Sequence, residues 1–450
     1  MPSDSMERDC ICAPATPGAV SALCVVRISG EGAKRIASGI FTPRKGRFPL
    51  KDRKLYYGDI TDNGQWLDEV LLWCFSAPHS YTGEEMVEIS CHGSPYIQQQ
   101  LLALLMARGC RMADPGEFTL RAFLNGKMDL SQAEAVADLI AAGSKAAHQL
   151  ASSQLKGGYA QELATLRQQC IHFASLLELE LDFSEEDVEF ADRTQLRQLA
   201  ETLSGKVERL TGSFRMGNAV KQGIPVAIIG APNVGKSSLL NALLNDDRAI
   251  VSPIPGTTRD TIEETMTLEG ILFRFVDTAG LRQSEDPIEA MGTERSLKAM
   301  EKAQLILRVR AAGDTTSLPS WTELPPSATQ KVLDVCNKCD LVPPPYPPGI
   351  AVSALTGEGL PALKQQLVQA VRDLLPPTDG ILLTNLRHYE ALQKVQAALH
   401  EVQAGLACGR TPDLLSMDVR EAIRHLGEIT GEVTNNDILN EIFSNFCIGK

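Results

Sequence analysis

The chain has 450 residues, a length for about three domains, and its 44% hydrophobic and 22% charged residues suit buried cores. A net charge of -13 argues against a surface built throughout to grip nucleic acid, without excluding a local basic patch. Apolar runs such as Leu101 to Ala107 fall far short of the ~18 residues of a membrane span, and Met1 to Asp9 lacks the pattern of a secretory signal. Eleven cysteines without framework spacing are then expected to be reduced thiols of a cytoplasmic protein.

The first ~120 residues read as mixed α/β. Val20 to Ile28, Val70 to Phe75 and Met86 to Ser90 are predicted strands, and Ile97 to Arg108 a helix closed by Gly109. From Leu130 the chain turns helical, with Ser131 and Glu134 as the expected capping box. Leu163, Leu166, Cys170, Phe173 and Leu177 make a stripe in a helical region that runs to about Met216. Strands then alternate with helices: Val226 to Ile229, Ile271 to Val276, Leu305 to Val309, Val332 to Cys336 and Ile350 to Val352, the pattern of a helix-covered parallel sheet. After Pro376 and Pro377 a second helical region carries the stripe Leu386, Tyr389, Leu392, Val395, Leu399, Val402 and Leu406. The expected architecture is an N-terminal α/β domain (1–120), one helical domain (121–218 and 376–450) and an inserted Ras-like P-loop G domain (219–375), with two separate helical domains as the alternative.

Gly230 to Ser237 fits G-x-x-x-x-G-K-[ST] between a predicted strand and a predicted helix. Such a loop turns backbone N–H groups toward phosphate at the positive end of a helix. Asn233, Val234, Gly235, Lys236, Ser237 and Ser238 are therefore candidate phosphate-binding residues, with Lys236 on the β- and γ-phosphates and Ser237 offering a hydroxyl to Mg²⁺. Thr257 and Thr258 follow in a Gly-Thr-Thr-Arg-Asp segment, and Asp277-Thr-Ala-Gly280 can hold Mg²⁺ through water and sense the γ-phosphate. In Asn337-Lys338-Cys339-Asp340 the Asp340 carboxylate can accept two hydrogen bonds from guanine, a pair adenine cannot supply, and Lys338 can lie along the base. Ser353-Ala354 can bring a backbone N–H to the guanine carbonyl. Leu281 stands where many small GTPases carry the water-orienting Gln. Glu285, Asp286 and Glu289 are the nearby carboxylates, and pattern alone does not choose among them.

Further segments carry a resemblance. Ala15-Thr-Pro17, Arg27-Ile-Ser-Gly30, Tyr81-Thr-Gly-Glu84, Cys91-His-Gly93, Pro115-Gly-Glu-Phe118, Arg121-Ala-Phe-Leu-Asn125, Lys127 to Glu134 and the tail Phe446-Cys-Ile-Gly-Lys450 resemble the MnmE (TrmE) family of tRNA-modification GTPases nearly end to end. The resemblance implies an N-terminal domain that dimerises and binds a formyl- or methylene-tetrahydrofolate. It implies a homodimer that joins a separate FAD-containing partner in a heterotetramer and modifies carbon 5 of the wobble uridine of certain tRNAs. GTP hydrolysis would be stimulated by K⁺ and by pairing of G domains. By motif, K⁺ would lie among Asn233, Ser252, Ile254 and Thr257, and Mg²⁺ on Ser237 and Thr258. Glu289 would orient water as the catalytic carboxylate. Folate would meet Arg27, Glu88, Lys127 and Lys450, and Cys447 would be a candidate functional thiol. Departures are Pro17-Gly-Ala-Val-Ser-Ala22 in place of a glycine-rich turn, Arg310 where an Asp is usual, and Cys339 as the variable residue of the guanine motif. The rival readings are a ribosome-assembly GTPase and a regulatory GTPase that docks partners with little turnover.

Overall fold

Residues alternate in and out along the first part of the chain, and that alternation builds a sheet. The computed structural model describes residues 9–45, 49–182, 193–245, 264–276, 297–313, 330–374, 381–434, 436–444 and 446–450. They divide into two compact units, one of Met1–Ala137, Leu155–Ala164 and Arg424–Lys450, the other of Asp138–Gln154 and Thr165–Ile423.

The first unit begins with β1 (Cys10–Pro14), β2 (Leu23–Ser29), α1 (Ala33–Ser38), β3 (Phe41–Pro43), β4 (Leu55–Asp62), β5 (Gln65–Phe75), β6 (Met86–His92), α2 (Pro95–Ala107) and β7 (Cys110–Met112). These strands form one seven-stranded sheet in the order β3-β4-β5-β6-β2-β1-β7. Val26, Ile28, Leu72, Val87 and Ile89 point to the face covered by α1 and α2, where Leu101 and Leu105 close the core. The pleat sends the alternate residues to the other face, and antiparallel pairing sets Arg27 of β2 opposite Glu88 of β6. Val20 lies outside the strand predicted for it: it is exposed, and β2 starts at Leu23 once the chain has crossed the irregular Ser21–Gly93 pairing.

Helices α3 (Glu117–Leu124) and α4 (Leu130–Ala141) follow. The capping box at α4 is not Ser131 with Glu134. Asp129 is the cap: its Oδ1 accepts from the Gln132 N–H at 2.9 Å, while Gln132 Oε1 accepts from the Asp129 N–H at 3.0 Å. Because Leu130 already opens the helix, the Ser131 hydroxyl points back and donates to Asp129 Oδ1 at 2.6 Å. Leu130, Ala133, Leu439, Phe443 and Phe446 share a small core in this unit.

After α5 (Lys145–Leu155) and α6 (Gly158–Asp182), α7 (Arg193–Gln222) leads into β8 (Ile224–Ile229). The sequence stripe from Leu163 to Leu177 is buried throughout. Then come α8 (Lys236–Asn245), β9 (Glu264–Leu268), β10 (Ile271–Phe275), β11 (Leu305–Ala311), β12 (Lys331–Asn337), β13 (Ile350–Ala351) and α9 (Leu360–Leu374). The sheet order is β13-β12-β11-β8-β10-β9, parallel except for β9, and every residue of β8 is buried. A strand buried on both faces must be apolar throughout, which is why this stretch reads as an unbroken run.

Helices α10 (Leu386–Cys408), α11 (Pro412–Thr430) and α12 (Asn436–Ser444) complete the described elements named here. Helix α10 packs along α7, where Tyr389 stacks on Phe214 with ring centroids 4.4 Å apart. Gly217 permits close passage of the chain, since a Cβ there would meet the Leu383 carbonyl. Leu386 is not in the apolar stripe expected of it. It is the first residue after the cap Asn385, whose Oδ1 accepts from the Arg387 N–H at 2.9 Å, and its side chain is exposed.

Candidate functional site

The loop after β8 makes its turn with Gly230 at φ 153, Asn233 at φ 62 and Gly235 at φ 91. At Gly230 a Cβ would collide with the Val309 carbonyl, so the site of closest approach admits no side chain. The loop then opens α8, whose first residues Lys236, Ser237 and Ser238 stand at the positive end of the helix dipole. Lys236 Nζ donates to the carbonyls of Gly230 at 2.9 Å and Ala231 at 2.8 Å. Partial burial lowers its pKa, so the ammonium gains from any anion brought into the loop.

The guanine motif sits beside it, at the carboxyl ends of the parallel strands, where ligands of such sheets bind. Asn337 ends β12 and is buried. Its Nδ2 donates to the Val234 carbonyl at 2.9 Å, and its Oδ1 accepts from the Ala354 N–H at 3.1 Å. Lys338, at φ 63, donates from Nζ to the Asn233 carbonyl at 2.6 Å. Asp340 carries an exposed carboxylate two residues on. Ser353 is buried, and its Oγ accepts from the Thr356 N–H at 3.2 Å, which holds the Ser353-Ala354 turn. The residues predicted at 233–238, 337–340 and 353–354 thus meet at the carboxyl end of the sheet. Thr257, Thr258, Ser252, Ile254, Asp277, Gly280 and Glu289 lie outside the described residues.

A second constellation forms in the first unit. Arg27 Nε donates to Glu88 Oε1 at 2.8 Å, and its NH1 donates to the Gly449 carbonyl at 3.1 Å. The guanidinium carbon lies 5.5 Å from the Tyr81 ring centroid, and the Tyr81 hydroxyl is 2.8 Å from Thr119 Oγ1. Ile448 bridges to Pro115, and a Cβ on Gly449 would collide with the Pro14 carbonyl. Burial lowers the Lys450 pKa, with the nearby Arg27 charge adding to the effect. Arg27, Glu88 and Lys450 are therefore brought together. Lys127 reaches the loop that carries Tyr81, donating from Nζ to the Pro78 carbonyl at 3.0 Å, and the Cys447 residue is exposed. Tyr81 is not among the residues predicted for this place, although its segment belongs to the motif set; its ring lies against the Arg27 guanidinium. Arg121 and Glu117, also from those motifs, turn inward to a buried ion network with Asp9 and Glu84.

A six-stranded, mainly parallel sheet with a glycine-turned phosphate loop and a latched Asn-Lys-x-Asp motif defines the P-loop GTPase class. The chain also matches the model of the MnmE helical domain over residues 130–447 and that of the N-terminus of the GTP-binding protein TrmE over residues 10–127. The tRNA modification GTPase MnmE of Parabacteroides distasonis is 50% identical over 98% of this chain and 99% of its own length. Its counterparts in Bacteroides fragilis and Flavobacterium johnsoniae are 48% and 46% identical, each over 99% of this chain and 100% of their own. The chain belongs to the MnmE family of tRNA-modification GTPases. Among solved structures, the G domain of the T. maritima FeoB iron transporter is 24% identical over 33% of this chain and 98% of that one, with a TM-score of 0.24.

Proposed function

We propose that this chain hydrolyses GTP to drive modification of tRNA at carbon 5 of the wobble uridine, as a cytoplasmic homodimer joined by a separate FAD-containing partner in a heterotetramer. The three functional regions are 1–120 for dimerisation and folate, 121–218 with 376–450 as the helical domain, and 219–375 as the G domain. No described helix is long and apolar enough to cross a membrane.

The observation that carries the reading is the convergence of Arg27, Glu88 and the 448–450 segment in one unit, in a chain whose other unit carries a phosphate loop. Arg27 and Lys450 supply positive charge for the glutamate tail of a tetrahydrofolate, Tyr81 a flat ring, and Glu88 an acceptor for a pterin N–H. Lys127, held to the Pro78 carbonyl on the loop that carries Tyr81, adds a further cation.

In the G domain, Lys236 exchanges its carbonyl partners for phosphate oxygens, and Asp340 selects guanine. Ser237, at the start of α8, offers a hard oxygen donor suited to Mg²⁺, with Thr258 as the second protein oxygen. The exposed Asn233, held at positive φ, offers an amide oxygen for K⁺ together with Ser252, Ile254 and Thr257. When bound, K⁺ would supply the positive charge that an arginine brings in other GTPases. Glu289 orients the attacking water.

Three measurements test this. GTP turnover should be faster in K⁺ than in Na⁺, and Glu289→Ala should retain nucleotide binding while losing roughly 10²-fold in rate. Nucleoside analysis of tRNA from cells lacking the protein should show the wobble modification missing. Unchanged tRNA would overturn the substrate assignment, and normal turnover of Glu289→Ala in saturating K⁺ would overturn the catalytic one.

A further inference from the structure

The guanine motif of this chain is at the same time a C-x-x-C motif. Cys336 lies in β12, Cys339 is the variable residue of Asn-Lys-x-Asp, and the two residues between them are Asn337 and Lys338. The two sulfurs lie 3.9 Å apart, and the Cys339 thiol donates to the Cys336 carbonyl at 3.2 Å. Cys336 is buried, whereas Cys339 is partly exposed. The pair differs in this from Cys10 and Cys110, whose sulfurs are 3.4 Å apart but both buried, out of reach of a soluble oxidant.

A disulfide needs its sulfurs at about 2.05 Å, so this turn would have to contract. The contraction cannot fall on Asn337, whose side chain is fixed to Val234 and Ala354 and whose carbonyl accepts from the Ala312 N–H at 2.8 Å. It falls on the segment 338–340. Cys339 is held there by its N–H to the Val352 carbonyl at 3.2 Å and by the Tyr346 hydroxyl on its own carbonyl at 3.2 Å, and Lys338 already stands at φ 63. Pulling Cys339 inward strains these bonds and turns Asp340 away from the position in which its carboxylate meets a base.

We infer that Cys336 and Cys339 form a reversible disulfide that withdraws the guanine-reading loop, making nucleotide binding sensitive to the thiol–disulfide poise. The oxidant is a low-molecular-weight disulfide. The Cys339 thiolate attacks one of its sulfurs and expels one thiol, leaving a mixed disulfide on Cys339. The Cys336 sulfur, having given its proton to water, then attacks Cys339 and expels the second thiol. Two protein thiols lose two electrons in all, and one external disulfide becomes two thiols. Burial, reinforced by the neighbouring Cys339, raises the Cys336 thiol well above its ordinary value, so Cys339 is the sulfur that attacks first. The inference rests on Asp340 reading the base.

The test uses the purified full chain, equilibrated in mixtures of reduced and oxidised glutathione. Mass spectrometry of the peptide holding residues 336–339 reads the bond, and titration with a fluorescent GDP analogue reads the site. The peptide should lose two hydrogens as the Kd rises at least tenfold, and dithiothreitol should reverse both. Cys339→Ser and, independently, Cys336→Ser are each compared with their own reduced form and should show no oxidation-dependent change in Kd. The inference is overturned if no internal bond forms while the exposed Cys408 is fully oxidised, if the bond forms with Kd unchanged, or if Cys339→Ser loses affinity on oxidation as the wild type does. Reduced wild type that binds no GDP overturns the guanine assignment and the switch together, an outcome told apart because it precedes any oxidation.

Discussion

Asn337 donates from Nδ2 to the carbonyl oxygen of Val234 at 2.9 Å, so the residue that opens the guanine motif also holds the phosphate loop. Its Oδ1 takes the Ala354 N–H at 3.1 Å, and one buried amide thereby ties three loops together. Removing it leaves the buried Val234 carbonyl without this donor, at about 1–3 kcal/mol, and frees the part-buried Ala354 N–H. Asn337→Ala should weaken GDP binding by roughly 10²-fold, with a lowered melting temperature. Asn337→Asp, which keeps the acceptor and loses the donor, should fall between the two in a fluorescent-nucleotide titration. Equal affinities for all three would show that the latch has no part in holding the loops.

Asp340→Asn exchanges a double acceptor for a group that also donates. GTP affinity should fall by about 2–4 kcal/mol while xanthosine triphosphate, with a carbonyl where guanine has its amine, should bind better than it does to the wild type. Competition between the two nucleotides reads the exchange directly, and undiminished GTP binding would remove Asp340 from the base site.

Gly449 stands at φ 92, and a Cβ built there would meet the Pro14 carbonyl. Gly449→Ala should therefore lift the 447–450 segment from Arg27, weakening tetrahydrofolate binding by about tenfold or more through the lost charge-assisted contact, and deletion of Cys447 to Lys450 should abolish it. GTP hydrolysis should survive both changes. Loss of hydrolysis in step with folate binding would make the segment a general support of the fold.

Arg121 is the hub of an inward ion network, pairing with Asp9 at 2.6 Å and Glu117 at 2.8 Å, while Arg111 pairs with Glu117 at 2.7 Å. Burial pushes the Asp9 and Glu117 carboxyls up, but hydrogen bonds from the two arginines outweigh it, and both end below their ordinary values of 3.8 and 4.5. Groups held below their unfolded pKa stabilise the fold above that value and release the gain as pH falls through the folded one. Urea midpoints should thus be level near about pH 6 and decline on the way to about pH 3. Arg121→Ala should cost about 1–3 kcal/mol near neutrality, because Asp9 and Glu117 lose its charge-assisted hydrogen bonds and keep only those of Arg111. Its acid decline should be shallower than that of the wild type.

The parts of this fold that were legible in the sequence are those whose signal is local. The stripe from Leu163 to Leu177 and the all-apolar β8 announce their burial by spacing alone. The phosphate loop does so by its glycines. What was misread depended on a choice between neighbours. Asp129 and Ser131 are both good caps, and the one that wins is fixed by where Leu130 enters the core. Strand β1 escaped notice because five residues with two cysteines and a proline carry little periodicity, and its pairing with β7 joins distant stretches of chain. Tyr81 and Arg121 stand in two motifs of the same set, and only the packed sheet sends one toward Arg27 and the other into the ion network.

The bond from Arg27 to the Gly449 carbonyl spans 422 residues of chain, and this has a bearing on synthesis. At about 5–20 residues per second, roughly 20 to 80 s separate the emergence of its two ends from the ribosome. Through that interval Arg27 and Glu88 can already face each other across paired strands, while Pro14 and Pro115 wait for the segment that will dock on them. The nascent N-terminal sheet is thus competent to fold early but matures late, and any messenger or nascent chain cut short before the last few codons yields a protein with a finished G domain and an Arg27 cluster that never closes.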